Sequence, residues 1–139
     1  MAPTQTTSPG GFTLSAADRE RLLLHVGEAS ARGRRSGSEV LAAVTVSLPP
    51  NVDPAEVAFA SRRAGEPWFC CEQPERDRAA LATLGCVTAI EADGPGRFTE
   101  VAGRWRELAR EAACDPPHGP AESGPQAVGG FAFADEGGR

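Results

Sequence analysis

The chain contains no Lys and no Tyr, so all 14 of its Lys-plus-Arg positions are Arg. In an Ala- and Gly-rich sequence such a bias needs no functional cause. It has one firm consequence: no lysine amine is available as a general base or to form a Schiff base. Aromatic residues make up only 6% of the chain, which leaves little bulk for a core. No apolar run approaches the roughly 20 residues that a membrane-spanning helix needs. The opening MAPTQTTSPGG lacks the basic-then-apolar order of a secretory signal. Clustered positive charge is missing too, and a net charge of −5 argues against an electrostatic nucleic-acid surface. The four Cys, Cys70, Cys71, Cys86 and Cys114, have neither zinc-module nor C-x-x-C spacing. They read as small hydrophobes of a reducing cytosol, so a cytoplasmic location is expected, with neither membrane nor nucleic acid as partner.

What is present fits one globular domain, for a chain of about 150 residues can bury roughly 68–70% of its unfolded surface. Residues 1–12, rich in Thr, Ser, Pro and Gly, are expected to be a disordered tail, and residues 135–139 a frayed end. Ser15 with Asp18 three positions later is a capping box, predicting a helix to about Arg32 that buries Leu22, Leu23 and Val26. His25 in that helix has no metal-ligand spacing around it. Residues 33–38 read as a loop whose Arg34–Arg35 pair is solvated. Residues 40–48 alternate with period two and are rich in Val, which predicts a strand closed by Pro49 and Pro50. Asp53 as N-cap and Pro54 at the first helical position open a short helix to about Ser61.

From Glu66 to Gly96 the sequence reads as a three-strand meander over residues 67–72, 79–84 and 86–91. Gly85 stops the Ala- and Leu-rich middle run too early for a stable helix. After Asp93-Gly94, Pro95 suits the start of a helix to about Ala113. There Phe98, Val101, Trp105, Leu108 and Ala112 form one stripe to pack on the sheet, with Glu100 and Arg104 on the solvent side. Residues 114–126 are a Pro- and Gly-rich loop holding a solvated His118, and residues 127–134 a closing strand.

Constellations that carry chemistry are absent. No phosphate loop with its Lys, no nucleophile-elbow Ser and no metal-spaced His/Asp/Glu set occurs. Glu72, Glu75 and Asp77 surround a Pro turn and read as a solvated acidic loop. Gly94-Pro95-Gly96 could hold an anion on free N–H groups, but a helix-opening turn needs those residues anyway. Gly129-Gly130 reads as a bulge or close backbone approach.

The order of these pieces resembles a known family. An aromatic pair (Trp68-Phe69) followed by Glu-x-Pro (Glu72 to Pro74), Leu84-Gly85, and Glu91-Ala92-Asp93-Gly94-Pro95-Gly96-Arg97-Phe98 ahead of an amphipathic helix is similar to the amino-terminal region of isochorismate synthases, which belong to the chorismate-utilising enzymes. The likeness extends back to the strand over residues 40–48. It extends forward to Gly129-Gly130-Phe131-Ala132-Phe133, which resembles the family's Gly-Gly-x-Ala-Phe-Asp strand, with Asp135 one place late behind Ala134. The resemblance implies an α+β fold: a mainly antiparallel sheet packed with two to three amphipathic helices, residues 13–134 forming a scaffold domain that is an incomplete part of the family fold.

It also implies a chemistry in which water adds at C2 of chorismate while the C4 hydroxyl leaves, for menaquinone or siderophore supply. The family uses a Lys to activate the water, a Glu as general acid and Mg²⁺ held by further Glu residues, all from a carboxy-terminal segment that the resemblance places after these residues. No catalytic, cofactor-binding or metal residue carries over, and no cofactor is expected in this chain. Chorismate is expected as a partner only of the full-length form, alongside self-association through the closing strand. The alternatives are a salicylate or anthranilate synthase type of relative, or a freestanding non-enzymatic binding or regulatory module.

Overall fold

The computed structural model describes residues 14–49, 51–73, 75, 79–116 and 124–133. The expected tails, and with them Asp77, His118, Ala134 and Asp135, lie outside the described residues. The elements among them run α1 (Ala16–Ser36), β1 (Ala42–Ala43), α2 (Pro54–Ser61), β2 (Trp68–Gln73), β3 (Ala79–Leu84), α3 (Arg97–Glu111) and β4 (Ala113–Cys114). Helices with a small antiparallel sheet and one parallel pair make an α+β fold, as the resemblance implied. The chain divides into two compact units: Leu48–Thr88, and Leu14–Ser47 together with the described residues from Ala89 on.

In the unit formed by Leu48–Thr88, the Asp53 carboxylate accepts from the N–H groups of Ala55 and Glu56 and opens α2 as expected. β2 and β3 form an antiparallel hairpin with Trp68 opposite Leu84 and Gln73 opposite Ala79. Six residues with a ready strand partner favour extension over helix, whatever the propensity of Ala and Leu. Side chains directly opposite share a face, and α2 packs against β3. Its Phe59 ring meets Trp68 at 5.0 Å, and Arg62 stands over both rings. Gly85, at φ 74°, donates its N–H to the Pro67 carbonyl as a last rung and turns the chain away. The expected third strand therefore does not form: residues 86–91 join no ladder, and Val87 is 91% exposed.

In the other unit, Ser15 Oγ accepts from the Asp18 N–H and donates to the Asp18 carboxylate, which fixes the start of α1. The helix runs one turn past the expected end. Gly37, not Gly33, is the left-handed cap (φ 69°), its N–H returning to the Gly33 carbonyl at 2.8 Å. Gly33 answers to close approach instead, since a Cβ there would stand 3.0 Å from the Ser38 carbonyl oxygen. Arg34 and Arg35 are exposed in the last helical turn, where their charge suits the helix dipole.

The inward face of α1 also differs from expectation. Leu23 is 67% and Val26 47% exposed, while Ala29 is buried and Leu22 and His25 are half-buried. α1 packs along β1 and β4, and a backbone-to-backbone approach of that kind favours small Ala over Leu.

β1 pairs with β4 in parallel, Ala42 opposite Ala113 and Ala43 opposite Cys114. The expected strand over residues 40–48 shrinks to these two positions because side chains occupy the backbone beyond them. The Thr45 N–H is taken by Asp115, and the Thr45 carbonyl by Arg21.

α3 starts two residues after Pro95, with Gly96 as N-cap and Gly94 turning at φ 77°. Val101, Trp105, Leu108 and Ala112 are half-buried, and Glu100 pairs with Arg104 at 3.9 Å on the exposed side. Among the described elements α3 is laid along neither ladder, so the stripe does not pack on a sheet as expected. Residues 127–133 are not a ladder strand either. They run extended past the start of α3, where Phe131 stacks on Phe98 at 4.4 Å. Among the described residues no large side chain is fully buried; Ala29, Ala58, Ala113 and Arg97 are the buried ones.

Candidate functional site

The densest polar constellation gathers on the inward face of α1. Arg21, Leu22, His25 and Ala29 recur at steps of one, three and four and share that face. Asp115 follows β4 directly. His25 Nε2 lies 3.1 Å from Asp115 Oδ1. Arg21 Nε is 3.0 Å from the same oxygen but off the hydrogen-bond direction, so that contact is ionic. Asp115 Oδ2 accepts from the Thr45 N–H at 2.9 Å. Asp18 pairs with Arg21 at 3.1 Å, and Glu28 Oε2 stands 4.0 Å from His25 Nδ1. The Thr45 hydroxyl accepts from the Gly124 N–H. The hydrogen bond from Thr45, then those from His25 and the charge of Arg21, hold the Asp115 carboxyl below its ordinary value against the opposing effect of partial burial.

This arrangement can tether but not catalyse. Both imidazole nitrogens face carboxylates, Nε2 toward Asp115 and Nδ1 toward Glu28, which leaves neither free to serve as a general base. Among the described residues no hydroxyl or thiol nucleophile is hydrogen-bonded to His25. The cluster joins three stretches of chain: α1, the run around Thr45, and the residue that follows β4.

The other groups singled out from the sequence are dispersed. Glu72 and Glu75 are exposed at the connecting end of the β2–β3 hairpin, beside the Gln73–Ala79 pair. Cys70 and Cys71 point to opposite faces of β2, paired with Ala82 and Leu81. Cys86 is exposed and Cys114 half-buried, so the four are less enclosed than core hydrophobes. Partial burial, then the charges of Glu72, Asp53 and Cys71, push the Cys70 thiol up and make it a poor nucleophile. A cleft of about 440 Å³ lies between the ends of α1 and α3, with Arg32 and Arg35 on one side and Glu107 and Glu111 on the other. Arg32 donates across it to the Glu111 carbonyl at 3.1 Å, and among the described residues it holds no nucleophile–base pair.

Mg²⁺ is held by one or two carboxylates with oxygens free to face it, its octahedron completed by waters or substrate. Among the described residues no three His, Cys, Asp or Glu side chains come together to hold a metal. The oxygens of Asp115 are already engaged by Thr45, His25 and Arg21. The described residues do not fit the ion.

The motif carrying the resemblance has a structural role that the sequence reading did not assign. Arg97 is buried, donating from Nη1 to the Gly94 carbonyl at 2.8 Å and from Nη2 to the Ala132 carbonyl at 3.1 Å, with its guanidinium 4.6 Å from the Phe98 ring centre. Two of the five motif pieces are thus bonded together. The signal available was an Arg at the first position of a helix, where an exposed cation is unfavourable and a bonded one is not.

Among the described residues no helix is long and apolar enough to cross a membrane. No curated protein and no solved structure matches the chain. The model of the family described as chorismate binding enzyme matches residues 26–139. The chain belongs to the chorismate binding enzyme family.

Proposed function

We propose that this chain is the amino-terminal scaffold of a cytoplasmic isochorismate synthase, serving menaquinone or siderophore supply. The observation that carries the reading is the order of the five motif pieces, two of which Arg97 and Phe98 hold in contact. In the proposed reaction one water enters at C2 of chorismate and one leaves from C4, so the product is an isomer. That exchange needs a base for the incoming water and an acid for the departing hydroxyl. The chain has no Lys to act as the family's base, and its most ordered acid–base groups, His25 and Asp115, are spent on each other. The catalytic groups are assigned to a carboxy-terminal segment, with residues 13–134 as the scaffold that receives it.

Chorismate incubated with the purified chain, with and without Mg²⁺, is expected to give no isochorismate above a buffer control; turnover would refute the scaffold reading. Supplying the carboxy-terminal segment of an isochorismate synthase, fused or in trans, is expected to restore isochorismate formation. Salicylate or anthranilate as product with the corresponding segments alone would move the chain to those relatives. Rescue by none of them would favour a freestanding binding module.

A further inference from the structure

We infer that residues 127–133 form a strap buckled onto the start of α3 by the Arg97 guanidinium, able to swing out as one piece while α1, β1, β4 and α3 keep their packing. Three observations carry this, independently of the proposed activity. Arg97 is 6% exposed and is the buried charged residue among those described. Its two terminal nitrogens bond carbonyls on either side of it, Gly94 in the turn that opens α3 and Ala132 in the strap. The planar fork of Arg can bridge two such carbonyls at once, which a Lys ammonium on a flexible stem does poorly. Beside that bridge, Phe131 stacks on Phe98 at 4.4 Å with the rings tilted by 43°.

The rest of the strap is lightly held. It contributes no residue to a ladder and none that is buried, and Phe133 is fully exposed. Gly129 and Gly130 have open space where a Cβ would stand, with no described atom within 4 Å of it. Just ahead of the strap, the Gly124 N–H is anchored on the Thr45 hydroxyl. A segment whose residues 127–133 add no ladder bond and no buried side chain opens at a low free energy compared with packed helices. Opening it would uncover the two stacked Phe faces and leave the Arg97 fork one carbonyl short.

Chymotrypsin cleavage after Phe131 tests this, followed by mass spectrometry at submicromolar protein and normalised to cleavage after Trp105 within α3. Because proteolysis follows the population of the open form, cleavage after Phe131 in the intact chain is expected at least about tenfold slower than in a free peptide of residues 124–139. Equal rates would overturn the strap. Arg97→Lys is expected to speed cleavage after Phe131 at least about threefold, with the Trp105 site unchanged. No acceleration would remove Arg97 as the buckle. Equal acceleration at both sites would make Arg97 a support of the whole unit and overturn the proposal as well.

Discussion

His25 and Asp115 lie 90 residues apart in sequence, and His25 Nε2 sits 3.1 Å from Asp115 Oδ1. Asp115 is the hub: it also receives the Thr45 N–H and the Arg21 charge. Removing it would leave a backbone donor and a half-buried ring without their acceptor. Asp115→Ala is therefore expected to destabilise the fold by about 1–3 kcal/mol near neutral pH.

The pH dependence of that loss has a definite sign. The folded Asp115 carboxyl is held below its ordinary value, chiefly by the Thr45 N–H. Its contribution is thus present above the unfolded value of about 4 and is lost as pH falls through the lower, folded one. Thermal melts of the wild type and Asp115→Ala should differ most near neutrality and converge below about pH 4. A constant gap down to acid pH would show that the carboxylate charge is not what matters.

Sequence pattern made the local elements legible and the long-range ones opaque. Ser15, Asp53 and the 3.6-residue stripe of α3 announce themselves within a few residues, and these helices form. β2 and β3 were readable because their partner is the next strand. Residues 40–48 have a better alternating pattern than either, yet only Ala42 and Ala43 pair. Alternation states which face a residue takes, not whether a neighbour arrives to complete the ladder. The neighbour of Thr45 is the Asp115 carboxylate, just after β4. Nothing near His25 announces Asp115, since periodicity carries no information across that separation. Arg97 was visible as a motif residue, but its carbonyl partners were not.

Two glycines on one helix should respond in opposite directions. Gly37 sits at φ 69°, so Gly37→Ala is expected to cost about 1–2 kcal/mol despite open space around it. Gly27, inside α1 with nothing near a built Cβ, should gain about 0.5–1 kcal/mol on conversion to Ala. Denaturant midpoints moving the same way for both changes would contradict the placement of the helix end.

The two sides of α3 can be separated in the same manner. Trp105 is half-buried, so Trp105→Ala is expected to cost about 1–2 kcal/mol. Arg104→Ala removes only an exposed pair with Glu100 and should cost under about 0.5 kcal/mol. Urea unfolding in which the two variants are equally destabilised would refute the assigned face.

The exposed apolar residues near the Arg97 buckle make a prediction about association. Residues 127–133 carry two Phe and a Val but no charge and no Pro. Among the described residues they have no ladder partner, and Val128, Phe131 and Phe133 are all exposed. An uncovered extended segment presents N–H and C=O groups that template pairing with another chain, and an uncharged window of this kind is the usual aggregation signature. The net charge of −5 opposes association. Screening limits its reach to about 8 Å at physiological salt, so charges elsewhere on the chain protect this segment little. The chain alone should therefore elute from size exclusion as oligomers at micromolar concentration, with light-scattering masses that grow with concentration. Phe133→Asp places a charge in the window at a side chain that makes no packing contact to lose, and should shift the distribution to monomer without lowering the melting temperature. A clean wild-type monomer would contradict the prediction, and oligomers unchanged by Phe133→Asp would place the contact elsewhere.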